Sequence, residues 1–308
     1  MRGIFGRRDR EPGWLAISFQ PGVLQYAHGV RASGRPSVPR CGRRALDASA
    51  KVAADLAKEL GFERYRCSTV LPTGEYQLLL VDTPGVQPAE LKTAVRWRIK
   101  DLLDYKIDEA TVDCLEVPPD PAAGGASRWT YAVAARNEAI KGCIGRFDAA
   151  AIPLQVIDIA ETAQRNIASL FETDGQGLAF LVVEAKQALL TVNFRGELYL
   201  ARRIDIGIDD LFGAGRETGR EDALARMALE LQRSFDHFDR QFPFVRIAKL
   251  ALGPEPRDTG LGAHLAQNLD MPVEATHLHD VIAFGDEAQL DEQTTWEMFP
   301  VLGAALRS

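Results

Sequence analysis

Residues 13–29 read GWLAISFQPGVLQYAHG. Leu15, Ile17 and Phe19 alternate with smaller or polar neighbours, Gln20-Pro21-Gly22 turns the chain, and Val23, Leu24, Tyr26 and Ala27 follow. Apolar alternation around a Pro-Gly turn predicts a β-hairpin. A hairpin near the start of a chain is where one class of nucleotide-binding folds keeps its first phosphate loop. Such a loop needs an acid for the metal and small residues that let backbone amides approach phosphate. Ser18 stands in the acid's place, and a proline sits in the turn. The stretch is therefore either a nucleotide site or the shell of one.

The rest of the chain narrows the choice. Its 308 residues are 46% hydrophobic and 26% charged, enough to build two packed lobes. A net charge of −7 argues against a nucleic-acid partner, whose binders carry a basic excess. Cys41, Cys67, Cys114 and Cys143 are scattered without a C-x-x-C pair, which reads as buried reduced thiols in a cytoplasmic protein. No run approaches the roughly 18 to 20 apolar residues of a membrane span. The opening MRGIFGRRDREPG lacks the apolar core of a signal peptide. Its Ile4 and Phe5 beside four arginines read as a frayed end, with peripheral contact to an anionic membrane as the alternative.

After the hairpin, RRALDASAKVAADLAKELGF predicts a helix carrying Leu46, Val52, Leu56 and Leu60 and stopped at Gly61. Strands RCSTVLP and EYQLLLVDTP follow. In PAELKTAVRWRIKDLLDY, Leu91, Val95, Ile99 and Leu102 recur at helical spacing and predict one apolar face. Strands ATVDCLEVP and RWTYAVAAR flank the breaker-rich loop PPDPAAGGAS, expected as an exposed tip. A helix with Ile140, Ile144 and Phe147 on one face closes a module of about residues 75–152. LQVIDIAETAQRNIASLFE then predicts a strand running into a helix. Beyond the spacer TDGQG, a second set of apolar strands turns at Arg195-Gly196. The strongest helix carries Leu224, Met227, Leu231, Phe235, Phe238 and Phe242. The echo of strand-turn-strand units predicts a duplicated α/β architecture: a first lobe over 1–160 with the inserted module, a helix and linker over 161–177, and a second lobe over 178–308.

The order of these segments resembles the PilM family, actin-like proteins of type IV pilus assembly, and within it the members that serve the mannose-sensitive haemagglutinin (MSHA) pilus. The likeness is carried by residues 13–29, 70–118, IPLQVIDIAETAQRNIASLF, residues 178–207, and ELQRSFDHFDRQFP with LALGPEPRDTGLGAHLAQNL after it. Residues 70–118 are its most specific part. The resemblance implies an α/β, actin-like (ribonuclease-H-like) two-lobed fold, with an inserted subdomain of the type shared with the division protein FtsA. It also implies a cytoplasmic place on the inner-membrane platform of the pilus, binding the cytoplasmic tail of a PilN-like membrane protein among other platform proteins.

The family's nucleotide motifs are altered at every loop. The first reads Asp-Ile-Gly-Ser-Ser before a lysine; here Ser18 replaces the acid, Gln20 the glycine and Gln25 the lysine. Ser18 cannot anchor magnesium anionically, and Pro21 removes a backbone donor. The second loop, EAKQALLT, puts Glu184 at the acid and Lys186 at the glycine. The adenosine loop keeps Gly253, Gly260 and Leu261 but adds Pro254 and Pro256. The reading is a degenerate cleft, a pseudo-ATPase with no catalytic residue and no required cofactor; weak ATP and magnesium binding, or an ATPase driving assembly, is the rival.

Other conspicuous residues carry less. VDTPG has no partner G-x-x-x-x-G-K-[ST] and reads as a strand end and turn. His277 and His279 share a face if THLHD is a strand, but no third metal ligand accompanies them and an exposed strand or loop is favoured. His237 falls on the polar side of its helix and is expected in solvent. No G-x-S-x-G elbow supports serine catalysis. Trp97 lies off its helix's apolar stripe, and with Tyr105 it is the candidate anchor for a docking partner.

Overall fold

The computed structural model describes residues 10–31, 34–46, 50–120, 122, 128–212, 217–286, 288 and 290–307. The opening hairpin is formed by β1 (Trp14–Gln20) and β2 (Val23–Val30), joined through Gly22 at φ 77°. β3 (Ser37–Ala45), α1 (Ala50–Glu59) and β4 (Cys67–Val70) follow. Next come β5 (Tyr76–Asp82), α2 (Pro88–Ile99), β6 (Ala110–Val117), β7 (Trp129–Arg136) and α3 (Asn137–Ala149). Then β8 (Leu154–Asp158) returns to the first sheet and α4 (Ala160–Ala168) leaves it. The remainder is β9 (Gly177–Val183), β10 (Ala188–Phe194), β11 (Glu197–Ile204), α5 (Ile208–Leu211), α6 (Glu217–Gln241), β12 (Ile247–Leu252), α7 (Leu261–Asn268), β13 (Val273–Ala275), α8 (Leu278–Val281), β14 (Ala283–Phe284) and α9 (Glu292–Ala305).

Two sheets share one plan. The first runs β14-β3-β2-β1-β4-β8 and the second β11-β10-β9-β12-β13. In each, three antiparallel strands are extended on one side by two parallel ones, and in the first sheet β14 also joins β3 in parallel. Every residue of β9 and β10 is buried, as strands covered on both faces require, and this explains their unbroken apolar sequence. α6 lays Leu224, Met227, Leu231, Phe235 and Phe238 into the second sheet's core. Helices α4 and α9 pack between the sheets, bringing Ala16 and Ala27 into one core with Phe180, Val182 and Ala251. Their crossing is tight: a Cβ on Gly303 would stand 2.2 Å from the Ala163 carbonyl oxygen, so only glycine fits.

Between β4 and β8 the first lobe carries an additional antiparallel sheet, β5-β7-β6. One face packs Val81, Val112, Ala132 and Ala134 under Val95 and Ile99 of α2. The other turns Leu78, Leu80, Trp129 and Tyr131 toward the second lobe. There the Tyr131 hydroxyl donates to the Tyr199 carbonyl at 3.2 Å and accepts from the Ala201 amide at 3.0 Å. α3 packs Cys143 and Phe147 into the first lobe's own core.

Several sequence expectations need correction. The helix expected from Arg43 begins only at Ala50 as α1; Arg43, Arg44 and Ala45 are instead the end of β3. Little apolar alternation hides that strand, which is held by pairing with β2 and, over two residues, with β14. α2 ends at Ile99, so Leu102 leaves the apolar face and is 57% exposed. Ile144 is 41% exposed beside the buried Phe147. Cys114 is half-buried, whereas Cys41, Cys67 and Cys143 are buried; all four are free thiols. Burial pushes Cys41 up to about 11 and Cys67 to about 12, so they are inert at neutral pH. Among the described residues no helix is long and apolar enough to cross a membrane. The N-terminal residues 1–9, and most of the 118–127 loop, lie outside the described residues.

Candidate functional site

The tips of the two hairpins, the start of α4 and the middle of α9 enclose a cleft of about 390 Å³. Three of the predicted positions meet there: Gln20 and Gln25 from the first lobe and Glu184 from the second. Ser18, buried one strand-pair register from the wall, accepts a hydrogen bond from Gln20 Nε2 at 2.9 Å. Gln25 Nε2 donates to the Glu297 carbonyl at 3.5 Å. Glu184 is half-buried, with Oε2 accepting from Gln187 Nε2 at 2.9 Å. Lys186 is exposed and outside the cleft lining, within the tight turn closed by the Glu184 amide donating to the Gln187 carbonyl at 2.7 Å.

Much of the remaining wall is apolar, with Val23, Ala160, Val182, Leu189, Phe299 and Pro300, and Gln164 is committed to the Phe180 and Leu189 carbonyls and Thr191. Trp296 seals the second-lobe end, its indole Nε1 donating to the Val183 carbonyl at 2.6 Å. Arg43 is the one cation in the lining, and Glu297 pairs with it at 2.6 Å. A polyphosphate here would face two carboxylates and a guanidinium already neutralised, an unfavourable balance in a confined site. A magnesium ion would find both carboxylates already engaged, Glu184 with Gln187 and Glu297 with Arg43. The groups present do not fit a magnesium–polyphosphate.

Gly253 and Gly260 lie in an adjoining pocket of about 540 Å³ with Glu255, Arg257, Asp258, His277 and His279. A Cβ on Gly253 would stand 2.7 Å from Val182 Cγ2, so the residue serves strand packing. Gly260 caps α7, and Arg220 ties the preceding Thr259 carbonyl at 2.7 Å. Burial raises the Glu255 carboxyl above its ordinary range, opposed by hydrogen bonds from the Thr259 amide and hydroxyl. His277 and His279 are not alternate strand residues: His277 caps the short helix α8 and His279 lies within it, against Phe284. Among the described residues no three potential metal ligands converge.

Trp97 and Tyr105 part company. Trp97 is 63% exposed on α2, with Lys100 over its ring at 5.8 Å. Tyr105 packs against the α2 core beneath Arg136, 4.1 Å from its ring centroid, and burial raises its pKa.

A second polar cluster was not anticipated. Glu161, 2% exposed at the start of α4, accepts from the Tyr76 hydroxyl at 2.6 Å and pairs with Arg203 at 2.8 Å. Arg203 Nη2 also donates to the Tyr76 oxygen at 2.9 Å, and its Nη1 lies 3.9 Å from Glu184. The cluster therefore ties the inserted sheet, α4 and the second lobe to the cleft acid. Burial alone would lower Arg203, but Tyr76, Glu161 and Glu184 hold it above its ordinary value. Burial, then Glu161, raises the Tyr76 phenol. The sequence signal was Glu161 within the apolar stripe Ile159, Ala160, Ala163 and Ile167, a carboxylate that burial obliges to find a partner.

Beside this cluster runs a slot of about 380 Å³, lined by Thr73, residues 76–79, Glu161, Ala201 and Arg203. Its two flanking strands, β5 and β11, are both sheet edges.

No protein-family profile and no curated protein matches this sequence. Among solved structures, the PilM–PilN type IV pilus biogenesis complex superposes with a TM-score of 0.69 at 19% identity, over 96% of each chain. The fold is actin-like. Looser likenesses are to a Bacteroides thetaiotaomicron protein of unknown function with an actin-like ATPase fold (TM-score 0.49, 10% identity, 91% and 96% of the two chains) and to the cytoplasmic domain of EpsL, an inner membrane component of the Vibrio cholerae type II secretion system (0.47, 9%, 96% and 95%). In this actin-like frame the cleft lies between the two duplicated sheets, and the slot lies beside the inserted sheet.

Proposed function

We propose that this chain is a non-enzymatic scaffold of a type IV pilus assembly platform, held at the cytoplasmic face of the inner membrane by a PilN-like bitopic protein whose cytoplasmic tail it captures. The observation that carries the reading is the end-to-end likeness to a structure of the PilM–PilN complex, 96% of both chains. The slot between the β5 and β11 edges supports it, since an extended tail can add to an exposed strand edge and seat alternate side chains. Within this reading residues 70–118 favour the MshI-type branch and the MSHA pilus. The nucleotide cleft is a retained shell, a pseudo-ATPase, supported by the neutral Ser18, Gln20 and Gln25 and the paired Arg43.

Calorimetry of the full chain with the cytoplasmic peptide of the PilN-like neighbour tests the capture. Saturable binding is expected; no heat at roughly 100 µM protein, where even a weak micromolar complex forms, would sink it. A thermal-shift titration with ATP and magnesium tests the cleft. The melting temperature should stay flat, because only a ligand held by the folded state raises it. A saturable rise abolished by Glu184→Ala would overturn the pseudo-ATPase reading.

A further inference from the structure

A pocket of about 470 Å³ lies where the start of β7 meets the end of α6, away from both cleft and slot. Its lining is Leu80, Arg128, Trp129, His237, Arg240 and Gln241. The three basic side chains come from segments more than a hundred residues apart in sequence and face one concavity. In a chain with 43 acids and a net charge of −7, cations on a solvated helix face ordinarily find carboxylates. Here none of the described carboxylates forms an ion pair with Arg128, His237 or Arg240; Arg128 instead rests 5.5 Å from the Trp129 ring centroid. Asp82, in register with Trp129, and Asp236 and Asp239 on α6 also leave them unpaired. A second observation points the same way. Gln241 Oε1 is buried at this site with no hydrogen-bond partner, and a buried acceptor left unmade is costly.

We propose that this pocket binds a small organic anion: a phosphate or carboxylate held by Arg128 and Arg240, an apolar body resting on Leu80 and Trp129, and an N–H donor directed at Gln241 Oε1. The volume lies within the range of small-molecule sites, and guanidinium groups suit both kinds of oxyanion. His237 adds a ring nitrogen to the same wall. The site is independent of the tail-capture slot and of the nucleotide cleft.

The test is calorimetry on the full chain at low salt with three probes. Inorganic phosphate supplies the charge alone, AMP a phosphate with a donor-bearing body, and the dipeptide Glu-Leu a carboxylate with an apolar body. Saturable binding of AMP or Glu-Leu, tighter than inorganic phosphate, is expected, and whichever binds identifies the oxyanion. Arg240→Gln should weaken it by roughly tenfold to a hundredfold, the usual worth of a charge-assisted hydrogen bond. Arg240 is exposed, so this variant should keep the wild-type melting temperature. Glu184→Gln, in the interlobe cleft, should leave the affinity unchanged. The proposal fails if neither organic probe saturates by about 5 mM, below ordinary ligand affinity. It fails equally if Arg240→Gln binds as wild type, or if Glu184→Gln abolishes binding.

Discussion

Two successive residues of α4 face two different chemistries. Ala160 looks into the interlobe cleft with Gln164 one turn on, among Val182, Leu189 and Phe299. Glu161 looks the other way, into a buried ionic cluster with Tyr76 and Arg203. The cleft, where an actin-like fold would handle phosphate, offers neutral amides and one neutralised arginine. The junction with the inserted sheet, where no substrate chemistry is expected, holds the most deeply buried carboxylate of the ion pairs among the described residues, Glu161. Glu184 sits between them, in the cleft lining and 3.9 Å from Arg203. The contrast implies that the fixed charges of this molecule join the inserted sheet to the lobes and do little for a ligand between the lobes.

The largest effect should therefore come from the junction. Glu161→Ala strands Arg203 and the Tyr76 hydroxyl, and removing one member of a buried pair costs about 3 kcal/mol, at the low end because Arg203 keeps some access to solvent. Urea unfolding of the full chain would read it as a lowered midpoint, and Glu161→Gln, still able to accept from Tyr76, should lose less. A loss under about 1 kcal/mol for the alanine variant would erase the contrast, since that is the worth of a surface pair.

On the cleft side the expected costs are smaller. Trp296→Phe keeps an aromatic wall but leaves the Val183 carbonyl without its donor, worth about 1–2 kcal/mol. Gln20→Ala removes only a local bond to Ser18 from a largely exposed tip and should fall within about 0.5 kcal/mol of wild type. If Gln20→Ala instead proved as damaging as Trp296→Phe, the cleft tip would be held by more than the Ser18 contact.

The lobes were legible because their signals are local and repeated. Leu15 and Ile17 alternate, Arg195-Gly196 supplies two left-handed residues for a tight turn, and α6 repeats its apolar positions over its whole length. The cleft was partly legible too, since Gln20, Gln25 and Glu184, singled out at the hairpin tips, all line it. What could not be read was long-range pairing. Tyr76, Glu161 and Arg203 are spread over more than a hundred residues, and each alone looks like a strand or helix surface. Trp296 meets Val183 from a helix whose sequence gives no hint of that target. β3 was lost for the same reason, its neighbours being set by β2 and β14 and not by its own alternation.

The smallest effect concerns pH, and it separates the adenosine-side pocket from the cleft. Burial raises Asp158, Glu172 and Glu255 above the ordinary carboxylate range, against the hydrogen bonds and charges that oppose it. The unfolded chain then releases these protons at lower pH than the folded chain does. Over that window the unfolded state binds fewer protons, so stability falls as pH rises from about 4, the ordinary carboxylate value, through the raised folded values. Glu255→Gln removes one titrating group while its amide oxygen can still accept from the Thr259 backbone. Urea midpoints measured between about pH 4 and pH 7 should therefore decline less steeply for Glu255→Gln than for wild type. The cleft residue Glu184, exchanged for glutamine, is measured beside it as the comparison. Equal flattening by both substitutions would mean that the two pockets share one buried environment, and the division between a polar junction and a neutral cleft would have to be redrawn.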